Sequence, residues 1–135
     1  MAKRSLQQRL AVVERELAEI RVRAVESQEY RLVDKSGRVR AVLEMTKSGT
    51  PRLAMLNEDG VSCVEITLGK DGPALRLGDE EGATRVFIGA TKDAARIGLA
   101  DAAGNNRAFL GVMPKGGATL ALYDAKQKVV WSAVE

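Results

Sequence analysis

The sequence predicts a mainly β protein of tandem antiparallel β-hairpin repeats, β-prism-like or barrel-like in closure, preceded by one N-terminal coiled-coil α-helix. Three observations predict it. A segment of about 22 residues is written five times, starting near positions 28, 51, 73, 95 and 118, a period at which self-similarity marks an array of supersecondary units. Each copy alternates apolar with other residues at the period of two that a strand requires. Ahead of the copies, residues 1–28 carry apolar side chains at spacings of four and three, the period of a helix. The expected division is therefore a helix over 1–28 and a repeat domain over 29–135.

In the helical segment Leu6, Leu10, Val13, Leu17, Ile20, Ala24 and Ser27 form a heptad seam. Leu10, Leu17 and Ala24 fall at a, and Leu6, Val13, Ile20 and Ser27 at d. Leucine at a with β-branched residues at d disfavours two strands and favours three or four. In a parallel assembly Arg9 would meet Glu14 and Glu16 would meet Arg21 of a neighbouring helix, opposite in sign both times. Within one helix Glu19 and Arg23 stand four apart. A helix folded back over its own β domain would show a similar stripe. The narrow seam, the charged flanks and the absence of a Gly/Pro linker after Glu26 favour self-association through Leu6, Leu10, Val13, Leu17, Ile20 and Ala24.

In the repeats, first arms supply Tyr30/Leu32, Leu53/Met55, Leu75/Leu77, Ile97/Leu99 and Leu120/Leu122. Second arms supply matching pairs such as Val64/Ile66 and Val86/Ile88. Between them stand Asp34, Asn57, Asp79, Asp101 and Asp124, followed three residues later by Gly37, Gly60, Gly82, Gly104 and, out of pattern, Gln127. Asp and Asn accept from the backbone two residues on, and Gly takes the positive φ of a hairpin turn. Closing a four-residue loop on Asp and Gly puts Leu75 opposite Val86, Leu53 opposite Val64, and the apolar sets on one face. The last copy, without its glycine, is where the repeat geometry is expected to relax.

One apolar face must be buried against something. A barrel, a sandwich or a threefold prism of three chains would serve, and a parallel stem that brings three chains into register favours the prism. The opposite face is mixed. It carries Phe87 and Phe109, one repeat apart and read as a stacked pair with small Gly and Ala neighbours making room. It also carries Arg40, Arg85 and Arg107 at equivalent positions, with Arg31 and Arg76 placed across from the first two. Facing guanidiniums repel unless an anion or a neighbouring acid such as Glu44 or Glu65 relieves them, so Arg31, Arg40, Arg76, Arg85 and Arg107 are the candidate ligand-binding set for a polyanion or acidic glycan.

The remaining chemistry is sparse. With no histidine and one cysteine, Cys63, histidine-dependent catalysis, thiolate clusters and disulfide frameworks fall away. Cys63 sits where other copies carry Arg and reads as a small filler. The stretch Gly111 to Gly117 lacks the spacing of a phosphate loop, and the Asp-x-x-Gly turns lack the ligands of a calcium loop. No catalytic residue, metal site or cofactor is expected. A net charge of +3 from 21 basic and 18 acidic residues is too small and too dispersed to indicate nucleic acid. Without an apolar leader or span the expected location is cytoplasmic, which a phage particle released by lysis also fits.

The pattern Leu-x-Asp-x-x-Gly-x-x-Arg-(Ala/Val)-x-(Leu/Ile), seen at Leu32 to Leu43, Leu77 to Ile88 and Leu99 to Leu110, resembles uncharacterised bacterial tandem β-hairpin repeat proteins. That resemblance covers roughly residues 28–135 and implies a β-repeat fold without an activity. A coiled coil running into β repeats is similar in plan to trimeric phage fibre and spike shafts. The expectation is a non-enzymatic structural or interaction protein, a homotrimer with a β body that presents a binding surface. A polyanion or acidic-glycan binding module using the Arg ladder is the alternative.

Overall fold

The structure, a computed structural model, describes residues 5–22, 26–114 and 117–134, without the side chains at 20–22 and 134. One helix, α1 (Leu6–Val22), precedes ten strands: β1 (Glu29–Val33), β2 (Val39–Met45), β3 (Pro51–Leu56), β4 (Ser62–Gly69), β5 (Gly72–Gly78), β6 (Thr84–Ala90), β7 (Ala95–Ala100), β8 (Asn106–Val112), β9 (Ala118–Tyr123) and β10 (Val129–Val134). All ten form one open antiparallel sheet whose strand order is the chain order, a plain meander.

Ser5 starts α1 by a reciprocal cap: the Gln8 amide donates to Ser5 Oγ at 3.3 Å and the Ser5 amide to Gln8 Oε1 at 2.9 Å, satisfying donors the first turn leaves over. Arg15 and Glu19 pair along its surface at 3.4 Å. Arg23, and with it the expected Glu19–Arg23 pair, lies outside the described residues, as does Ala24 of the seam. Among the described residues α1 packs against no strand. Leu6, Leu10, Val13 and Leu17 are all at least half exposed or close to it, at 80%, 58%, 49% and 51%.

The five Asx hairpins share one turn. In the first, Asp34 Oδ1 accepts from the Ser36 and Arg38 amides. The Gly37 amide donates to the Asp34 carbonyl and the Asp34 amide to the Arg38 carbonyl. Gly37, Gly60, Gly82 and Gly104 take φ of 78–85°. The last turn does not relax. Gln127 adopts φ 63°, keeps the same backbone bonds to Asp124, and donates from Nε2 to the Asn106 carbonyl at 3.1 Å. That bond offsets the cost of a side chain in the left-handed region.

The strand register departs from expectation by two residues. Leu75 faces Ile88 and Leu77 faces Val86; Leu53 faces Ile66 and Met55 faces Val64. One residue of the offset arises because the acidic residue pairs back with the residue after the glycine. The other is a bulge that recurs in each hairpin, at Arg40, Cys63, Arg85, Arg107 and Val130. An offset of two preserves the face, so the apolar sets still coincide.

On that face the side chains form rows across the sheet. The central row runs Tyr30, Leu43, Leu53, Ile66, Leu75, Ile88, Ile97, Leu110, Leu120 and Ala133. The row beside the Asx turns is large on first arms (Leu32, Met55, Leu77, Leu99, Leu122) and, Trp131 excepted, smaller on second arms (Ala41, Val64, Val86, Ala108). At the opposite strand ends the sizes reverse, with Pro51, Pro73, Ala95 and Ala118 on first arms and, Ala90 excepted, the larger Met45, Leu68 and Val112 on second arms.

Candidate functional site

The two faces of the sheet differ in how far one chain satisfies them. The apolar face is bare: Ile88 and Ile97 are 39% exposed, Ile66 48% and Leu68 57%. A shallow depression of about 400 Å³ lies on it between Ile66, Leu75, Ile88 and Ile97. The buried side chains among the described residues, Val42, Ala54 and Ala121, lie on the opposite face. Leu75, Leu77, Val86 and Ile88, expected as a core shared with other chains rather than enclosed by one, have no second layer over them among the described residues of the single chain.

The opposite face is covered by its own charged residues. Arg52 bridges Glu44 and Glu65, donating from Nε at 2.8 Å and Nη1 at 3.0 Å. Arg76 donates from Nε to Glu65 at 3.2 Å, from Nη1 to the Gly82 carbonyl at 2.9 Å and from Nη2 to the Ser62 carbonyl at 3.2 Å. This alternating network spans β2 to β5 over Val42 and Ala54. Burial opposes ionisation of Glu65, but the hydrogen bond and charge of Arg76, with the charge of Arg52, hold its carboxyl below the usual range.

The bulge residues act as latches. Arg40, Arg85 and Arg107 donate from Nε to the Leu56, Ala100 and Tyr123 carbonyls at 3.0–3.1 Å, each the last residue of the following first arm. Their Nη1 atoms lie 3.7, 3.6 and 3.4 Å from Asp34, Asp79 and Asp101 of their own turns. The bulge aims the side chain sideways along the sheet, so one guanidinium ties a turn to the next hairpin. Cys63 does the same on a smaller scale, its Sγ lying 3.2 Å from the Asp79 carbonyl. For Asp101 the amide of Asn105 is the chief cause of a lowered pKa, against the opposing effect of desolvation, with Arg107 adding to it. Asp34 is lowered too, desolvation being outweighed by hydrogen bonds from Arg38 and Ser36.

Arg31 and Arg76 do not face Arg40 and Arg85. Arg31 stands opposite Val42 and pairs with Glu29, and Arg76 stands opposite Phe87. The facing guanidiniums expected to form an anion site are absent, because the turn pairing and the bulge together move the register by two. Arg52, which the sequence reading did not single out, is instead a hub; its alternation with Glu44 and Glu65 along one face was the signal. Phe87 and Phe109 do not stack on each other. Gly98 stands between them in the sheet. Each ring lies over the glycine two residues on, such that a Cβ at Gly89 or Gly111 would come within 2.7 Å of it. The Arg96 guanidinium sits 5.0 Å from the Phe87 ring centroid, a cation–π contact.

No group of three or more acidic or cysteine side chains among the described residues is placed to hold a metal ion. No described helix is long and apolar enough to cross a membrane. No protein-family model and no curated protein matches the chain.

Proposed function

We propose that the protein is a non-enzymatic structural or interaction protein that assembles as a homotrimer. Residues 1–28 form a parallel coiled-coil stem, and residues 29–135 form a β body whose apolar faces bury one another in a prism and whose outer faces meet a partner. The observation that carries this reading is the bare apolar face. A patch spanning ten strands greatly exceeds the few hundred Å² that a soluble monomer ordinarily exposes, and the single chain offers no layer to cover it. The stem supports the same reading independently: Leu6, Leu10, Val13 and Leu17 of its seam are exposed along α1, and among the described residues the helix packs on no strand.

Light scattering on the purified chain tests it. A mass three times the 14.5 kDa chain is expected, and a monomer mass at micromolar concentration overturns the proposal.

A further inference from the structure

Resting on the trimer reading, the geometry points to a specific interface: two further copies of this chain pack against the apolar face about a threefold axis that runs across the strands, along the direction in which they stack. Strands β2 to β10 are six to eight residues long, or about 20–26 Å at 3.3 Å per residue. A triangle with that edge has its sides about 6–7.5 Å from the centre. Packed sheets lie about 10 Å apart, each contributing about 5 Å, so three sheets one strand wide close on their central rows with little space left. Strands laid along the axis would make the triangle ten strands wide, about 48 Å at about 4.8 Å per strand, with sides about 14 Å from the centre. That arrangement leaves a void. Four sheets one strand wide would stand about 10–13 Å out and leave one as well.

Side-chain size supports the same axis. Rotation about it brings the turn-side row of one chain against the opposite row of the next, a heterologous contact repeated three times. With chains in register, each strand then meets its own counterpart. Leu77 of one chain meets Pro73 of the next, Leu99 meets Ala95, and on second arms Ala41 meets Met45 and Ala108 meets Val112. Large meets small at these levels, as interdigitating packing requires, while on β4 Val64 meets the larger Leu68. Because α1 precedes β1 and strand order follows chain order, a stem placed on this axis would meet the sheet at β1 with the body extending away from it.

Cysteine pairs test the interface in the full chain. In a Cys63→Ser background, Ala95→Cys and Leu99→Cys stand on one strand about 13 Å apart, too far to bond within a chain. Under oxidation, or with a short bifunctional thiol reagent, the double variant is expected to give a covalent trimer, and either single variant none. The pair Ala118→Cys and Leu122→Cys repeats the test where the first perturbs folding. A trimer mass without covalent trimer in either pair, or with single variants linking equally well, overturns this interface while leaving the trimer standing. A monomer mass overturns the trimer itself, and a covalent dimer with a dimer mass replaces the threefold axis by a twofold one.

Discussion

The two faces of this sheet are built from the same strands yet are completed by different means. On one, Arg52, Arg76 and the bulge arginines find acids and carbonyls within their own chain, and the small residues beneath them are buried. On the other, a continuous row of Leu and Ile meets nothing the chain can supply. Polar groups are satisfied by one or two partners at hydrogen-bond distance, which neighbouring strands provide. Apolar surface is satisfied only by another layer, and this meander stays an open single sheet with none among the described residues. The difference explains how a chain can hold its hairpins in register without enclosing a core of its own.

The largest test of this contrast is a charge on each face. Ile88→Asp puts an unpaired carboxylate in the apolar row and is expected to lose the proposed trimer, at a cost of about 3–5 kcal/mol, seen as a monomer mass and a lost cooperative melt. Thr119→Asp, opposite Gly111 on the latched face, should leave both unchanged.

Next in size is the charge network. Arg76→Ala strips Glu65 of a partner and two carbonyls of their donor, for about 2 kcal/mol in urea unfolding. Because the Glu65 carboxyl is held below its usual range, its contribution is present above about pH 4.3 and is lost as pH falls through the lowered folded value. The wild type should therefore lose more stability than Glu65→Gln between pH 6 and pH 3.

The latches are individually smaller. Arg85→Ala and Arg107→Ala, each side chain exposed by 40% or more, should cost about 0.5–1 kcal/mol apiece. They stand two strands apart and should add. Heparin retention at moderate salt that disappears in the double variant, with the fold intact, would give the ladder a ligand and break the view that it serves the chain alone.

The smallest effect sits at the last turn. Gln127→Gly relieves the positive φ but gives up the bond to Asn106, and should change stability by less than about 0.5 kcal/mol. Gln127→Ala keeps the strain and loses the bond, costing about 1 kcal/mol by thermal melt.

Much of this was legible in advance because it is local. Asp at the turn with Gly three later determines a hairpin wherever it occurs, and alternation assigns each side chain to a face whatever the neighbouring strand does. Register was not legible, since the bulge at Arg40, Arg85 and Arg107 leaves no mark in a period-two pattern; it shifts pairing by an even total together with the turn. The roles of those arginines changed with it, from facing one another to holding their own turns and the next hairpin.

By itself the sequence determined the helix, the five two-stranded hairpins and which face is apolar, all consequences of short-range periodicity and turn chemistry. The tertiary structure decided the pairing by way of the bulges, the partners of each guanidinium, and that the apolar face lies bare in the single chain. Those outcomes depend on which groups from distant positions come within a few ångströms, and spacing along the chain does not encode that.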